Sequence, residues 1–213
     1  MTARPLWPAL RLGFGLLALT AIGRQLAIQI ELGSSVLNFF SYFTNLSNLF
    51  AAVVLMFGAS RLFTSGTAME PSDRLRAVSA VNMTVVGIVF AILLRNVDLG
   101  SLLPWINSVL HYIMPCVIVL DWLLQPPRIK LDRKLILQCL IFPAIYLAYV
   151  LVRGSHAGWY PYPFLNPSNV GGYSGVAIYA VGIGAASLVA SWSLVALGNK
   201  LGGRDTGRNA GIV

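Results

Sequence analysis

The chain is poor in charge, in acid and in metal-binding side chains. Charged residues are 10% of its 213 positions, with seven Asp and Glu against fifteen Lys and Arg. There are two cysteines, Cys116 and Cys139, and two histidines, His111 and His156. Both cysteines fall inside apolar runs, so no disulfide framework can be read. The histidines are not spaced as a helical ligand pair, and the sequence holds no phosphate loop, no paired metal-ligand spacing and no internal repeat. Neither a metal nor a cofactor is expected. Gly172-Tyr173-Ser174-Gly175-Val176 departs from the hydrolase nucleophile elbow at its last position and follows no strand, which argues against a soluble serine hydrolase.

What the chain has instead is apolar length. Apolar residues are 57% of the total and form long runs along the whole chain, more than a soluble core needs. About 20 residues cross the hydrocarbon of a bilayer, and six runs qualify: 10–30, 39–62, 75–94, 104–124, 135–152 and 173–197. The expected fold is all-α, a polytopic membrane protein with six transmembrane helices in a single domain over residues 1–197. The Gly-, Asn- and Arg-rich segment 198–213 lacks apolar periodicity and is expected to be a disordered cytoplasmic tail. The basic N-terminus with its apolar run is read as a retained first helix, because removing it would break the charge alternation between loops.

Charge sets the orientation. Every Lys and Arg from Arg4 to Arg208 falls on one side of the expected spans except Arg24, Arg95 and Arg153. Basic residues are retained on the cytoplasmic side, which puts both termini there, as an even number of spans also requires. The net charge of +8 is thus divided among short juxtamembrane loops, which argues against a nucleic-acid partner and for anionic headgroups of membrane lipids. The longest outward loop, 153–172, carries Trp159-Tyr160-Pro161-Tyr162-Pro163-Phe164. It is expected to lie in the interface as an aromatic belt; covering a site is the other reading.

Two spans carry polar faces. At 100° per residue Asn38, Ser41, Thr44, Asn45 and Asn48 share an arc of about 120° on the second. Asn107, Ser108, His111 and Pro115 share about 100° on the fourth. Such faces can glue helices together, yet so many unsatisfied groups would be costly in lipid, and an ionisable residue in a span marks a functional site. Pro115 has no N–H for the carbonyl of His111, which predicts a kink at the histidine. Thr44 and His111 each lie six residues below the same membrane face, about 9 Å deep at 1.5 Å per residue.

A hydroxyl and an imidazole at matched depth are a candidate nucleophile and base. Thr44 Oγ would attack, and neutral His111 would take its proton. Asn45 and Asn48 are candidate donors to an oxyanion, and Asn107 or a backbone carbonyl is the candidate group orienting the imidazole. Arg24, Arg95 and Arg153, near the outer ends of their spans, are candidates to hold a lipid carboxylate or phosphate; snorkelling to the headgroups is the simpler account. Asp121, at the opposite end of the fourth span, is expected to pair with a cation.

At these residues the sequence resembles the family that includes the androgen-induced membrane protein and the androgen-dependent TFPI-regulating protein. The resemblance rests on Asn38-Phe39-Phe40-Ser41-Tyr42-Phe43-Thr44-Asn45, on Trp105-Ile106-Asn107 with His111 and Pro115 after it, and on Tyr162-Pro163-Phe164-Leu165. It implies a six-span threonine hydrolase of fatty acid esters of hydroxy fatty acids, with Thr44 as nucleophile and His111 as the essential histidine. The Ala-, Gly- and Arg-rich composition points to a bacterial member in the cytoplasmic (inner) membrane, where the reaction type carries over better than the particular lipid. The expected function is therefore an intramembrane lipid esterase. Its rival is a non-enzymatic membrane carrier or regulatory subunit whose polar faces form a lipid- or partner-binding pocket. A carrier should continue its polar lining to the cytoplasmic face, whereas the second span is apolar from Leu49 to Phe57.

Overall fold

The computed structural model describes residues 6–65 and 70–208. Arg4, residues 66–69 and the last five residues of the expected tail lie outside them. The described chain is all-α. Helix α1 spans Leu6–Glu31, a short α2 spans Val36–Phe40, α3 spans Phe43–Ser65, and α4 spans Glu70–Val89 and continues as a π-helical turn, Phe90–Leu94. A short α5, Pro104–Ser108, passes through a second π-helical turn, Val109–Ile113, into α6, Met114–Leu124. Helices α7, Lys134–Ala157, and α8, Tyr173–Arg208, complete the bundle.

Six of these stretches are long and apolar enough to cross a membrane. Ile92, Leu137, Ile178 and Val181 are 66–74% exposed, an outward apolar surface that water would not tolerate and lipid does. The chain is an integral membrane protein. Helix α4 is central and packs on α3, α6, α7 and α8, while α1 lies on α3.

Ion pairs tie one end of the bundle together. Asp121 on α6 accepts from Arg11 of α1 at 2.6 Å and from Arg76 of α4 at 3.0 Å, and Arg76 also reaches Asp73 at 3.1 Å. The Arg128 amide donates to Asp73, and Asn199 of α8 exchanges hydrogen bonds with the backbone of Leu131. The starts of α1 and α4 and the ends of α6 and α8 therefore meet at this basic end. Asp121 is paired as its position led one to expect, with two arginines rather than one.

Three features differ from expectation. Helix α8 runs past 197 to Arg208, so the beginning of the expected tail is helical. The second span is interrupted at Ser41 and Tyr42, which separates Asn38 and Ser41 from the helix that carries Thr44. The interruption is held by α7, where Tyr146 Oη donates to the Ser41 carbonyl at 2.9 Å and Tyr149 Oη lies 2.9 Å from the Ser41 hydroxyl. In the fourth span the proline effect falls where it was expected, but as a π-helical turn: the Met114 amide reaches back five residues to Val109 O.

Candidate functional site

The break in the second span changes what Thr44 is. It becomes the second residue of α3, whose first helical bond of this turn runs from the Leu46 amide to Tyr42 O at 3.2 Å. The opening amides of a helix have no acceptor inside it and carry the positive end of its dipole. The Thr44 amide donates instead to the Tyr162 phenol at 3.2 Å, and the Thr44 hydroxyl lies 3.3 Å from the same oxygen. Thr44 is 6% exposed.

Tyr162 reaches this place because the α7–α8 loop folds inward. Tyr162, Phe164 and Leu165 are buried at 7%, 6% and 3% exposure, so this segment is a plug and not a surface belt. Gly158, at φ 63°, ends α7 in the left-handed region and turns the chain back. Gly154 leaves the space that the Tyr160 aromatic side chain occupies against α7; a Cβ there would collide with it. The Tyr162 and Phe164 side chains stack at 5.2 Å, and Tyr42 meets Tyr162 edge-on at 5.6 Å. Burial pushes the Tyr162 phenol up to about 12, so at neutral pH it keeps its proton and can donate.

His111 stands at the centre of the second π-helical turn, 8% exposed. Its Nδ1 lies 3.3 Å from the Asn107 carbonyl. A carbonyl only accepts, so Nδ1 carries the proton in that bond, and Nε2 of the neutral imidazole is left as the basic nitrogen. The imidazole stacks on Phe90 at 4.1 Å, and Phe90 opens the π-helical turn of α4. Two π-helical turns thus face each other across the histidine, a feature common at functional sites.

Thr44 and His111 line one cavity of about 550 Å³ together with Asn38, Asn45, Tyr42 and Tyr162. They do not bond to each other: the Thr44 hydroxyl pairs with Tyr162. A second cavity of about 310 Å³ lies on the other side of Thr44, lined by Val86, Val89, Pro143, Ala144, Ile183 and Gly184 among others. Its lining is almost wholly apolar, and the exposure of Ala144 and Gly184 opens it to the lipid-facing surface between α7 and α8. Thr44, Tyr162 and Leu94 line both cavities.

The remaining candidates divide. Asn45 lines the polar cavity and anchors its amide on Phe39 O at 2.8 Å. Asn48 is fully buried, and its Nδ2 donates to Thr44 O at 2.9 Å and Leu110 O at 3.1 Å. It clamps α3 to the turn of His111 and has no N–H left for an oxyanion. Asn107 acts on His111 through its backbone carbonyl, while its side-chain oxygen is buried without a partner among the described residues.

None of the three arginines lines either cavity. Arg24 lies 3.8 Å from Glu31, Arg95 is exposed, and Arg153 bonds to Asn38 Oδ1 and sits over Trp159 at 5.2 Å. Of these, only Arg153 touches residues of the site. Tyr162 is the functional candidate that periodicity missed, because it lies in a loop; its place in the Tyr162-Pro163-Phe164-Leu165 motif was the available signal. Comparison of the chain with protein-family models, with curated protein sequences and with solved structures finds no match.

Proposed function

We propose that the protein is an intramembrane lipid esterase with Thr44 as nucleophile and His111 as base. One observation carries this reading: Thr44 stands in the wall between an apolar slot and a polar cavity. An ester is divided in the same way, with its acyl chain suited to the slot, its alcohol to the polar side, and its carbonyl at the threonine. The resemblance to threonine hydrolases of lipid esters points to the same residues. By the positive-inside rule the site would face outward from the cytoplasm, and a bacterial cytoplasmic membrane is the setting we propose for it.

The Thr44 oxygen attacks the carbonyl carbon, and its proton passes across the cavity to Nε2 of His111, directly or through one water. The Tyr162 phenol donates to the oxyanion, and the positive end of the α3 dipole favours it. Collapse breaks the acyl–oxygen bond, the His111 proton goes to the departing alkoxide, and the alcohol leaves. Water then attacks the acyl-threonine, gives a proton to His111, and the fatty acid departs as the Thr44 oxygen recovers that proton. The sum is ester plus water giving acid plus alcohol.

A carrier fits less well. The polar cavity ends at the level of Asn45, Leu110 and His111, and beneath it α3 and α4 bury Ala51, Ala52, Leu55 and Met83 together with the polar Ser47, Asn48, Ser79 and Asn82, none of which lines the cavity. Purified wild type is expected to react with a fluorophosphonate and to hydrolyse long-chain esters, with both activities lost in Thr44→Ala and hydrolysis lost in His111→Ala. A wild type that does neither, or a Thr44→Ala variant with full activity, overturns the proposal.

A further inference from the structure

On the hydrolase reading above, the alcohol half of the ester occupies the polar cavity, whose lining restricts what that alcohol can be. Its hydrogen-bonding side chains are almost all neutral: the amides Gln25, Gln29, Asn38, Asn45, Asn166 and Asn169 stand beside hydroxyls such as those of Ser34 and Ser101. The one charged side chain among the described lining residues is Asp98, whose carboxylate accepts the Gly100 amide at 2.9 Å. No Lys or Arg is among them. A carboxylate or phosphate drawn in from water needs a cation or several donors to replace its hydration; here it would meet Asp98, while Arg153, outside the lining, is engaged with Asn38 Oδ1 and Trp159.

Several of the amides are fixed at one end and open at the other. Gln29 Nε2 donates to Ser101 Oγ at 2.7 Å, Asn45 Nδ2 donates to Phe39 O, and Asn38 Oδ1 accepts from Arg153. Gln29 Oε1 and Asn45 Oδ1 remain as acceptors and Asn38 Nδ2 as a donor, with no hydrogen bond among the described residues. A hydroxyl both donates and accepts, so adjacent hydroxyls match such a mixture where an anion, which only accepts, does not. Tyr42, Trp159 and Tyr160 add flat apolar surface for the C–H faces of a sugar or glycerol, and about 550 Å³ accommodates a group of that size.

We propose that the leaving group is a neutral polyol, so that the substrate is a fatty-acyl ester of glycerol or of a sugar and not an ester bearing a free carboxylate or phosphate. Cleavage puts the acyl group on Thr44 and returns the His111 proton to the polyol oxygen, which departs as an uncharged alcohol.

The test uses purified full-length protein in neutral detergent and has a binding arm and a cleavage arm. Hexadecylglycerol ether, which cannot be cleaved, is compared with hexadecyl phosphate by thermophoresis, and the ether is expected to bind at least about tenfold tighter. Monopalmitoylglycerol and a palmitoyl sugar ester are compared with palmitoyloxystearic acid, with at least about tenfold higher kcat/KM expected for the polyol esters. Gln29→Arg, which supplies the missing cation, is expected to shift that ratio toward the acid-bearing ester. Equal binding of the two hexadecyl lipids, or cleavage of the acid-bearing ester as fast as the polyol esters, overturns the proposal. Cleavage without headgroup preference leaves the hydrolase reading standing and removes the polyol one. Tight ether binding with no cleavage of any ester overturns the hydrolase reading and the leaving-group proposal with it, and leaves only a site that binds polyol lipids.

Discussion

Thr44 and Tyr162 share two hydrogen bonds across 118 positions of sequence: the phenol oxygen accepts the Thr44 amide at 3.2 Å and lies 3.3 Å from the Thr44 hydroxyl. The phenol therefore satisfies an opening amide of α3 and stands beside the atom assigned as nucleophile. Tyr162→Phe removes the oxygen and leaves the shape of the plug. Loss of one donor to a developing oxyanion costs about 10²-fold in kcat, with KM changed much less. Steady-state kinetics on a long-chain ester checks this, and unchanged kcat would show that Tyr162 is a packing residue only.

The same phenol makes a pH prediction. Burial raises it from 10.0 to about 12 in the folded protein. The protonated form is the one favoured by folding, so its contribution is fully present below pH 10 and is lost as pH rises from 10 to 12. Over that window the unfolded chain has already released this proton while the native state still holds it, and stability falls by roughly 1.4 kcal/mol per pH unit from this group. Melting curves of wild type and Tyr162→Phe at pH 9, 10 and 11 should show a steeper alkaline decline in wild type. Parallel curves would remove the assignment.

At the basic end, Asp121 neutralises Arg11 and Arg76, whose side chains are 5% and 7% exposed. In Asp121→Asn, Arg76 keeps Asp73, and Arg11 keeps no carboxylate partner among the described residues. Breaking a buried pair on one side costs about 3–5 kcal/mol, because a charge is left without compensation. The expected result is a large fall in melting temperature and in folded yield. The protein that remains folded should retain ester hydrolysis, since the site lies at the other end of the bundle, and comparable loss of specific activity would tie the two ends together.

Six spans and their alternation were legible because apolar length is a local property of sequence. So were the pairing of Asp121, an acid that lipid would not accept alone, and the disturbance at His111, which follows from a missing N–H on Pro115. The break before Thr44 was not legible. Residues 39–62 read as one apolar helix, and the turn is held by Tyr146 and Tyr149 on α7, both bonded to Ser41, and by Asn45, whose Nδ2 donates across it to Phe39 O. Periodicity therefore joined Asn38 and Ser41 to a face they do not share with Thr44. The arginines failed differently. Depth placed Arg24, Arg95 and Arg153 near the right level, but the direction in which each side chain leaves its helix depends on neighbours such as Glu31 and Trp159. The inward fold of the loop that brings Tyr162 to Thr44 rests on backbone turns and aromatic stacking, for which a hydropathy pattern has no signal.

Gly184 offers a test of the apolar slot without disturbing the fold. It lines the slot on α8, and a Cβ built there meets nothing within 4 Å. Gly184→Phe therefore places an aromatic side chain at the lipid-facing opening without an initial clash, and replacing a glycine inside a helix with phenylalanine favours the helix by roughly a few tenths of a kcal/mol. Melting temperature should hold or rise while the space for an acyl chain shrinks. Each methylene excluded from an apolar site forfeits about 0.8 kcal/mol of burial, so the loss in kcat/KM should grow with chain length, severe for a palmitoyl ester and small for an acetyl ester of the same alcohol. Equal losses at both lengths would mean that the acyl chain does not lie between α7 and α8, and the division of the substrate at Thr44 would have to be drawn the other way.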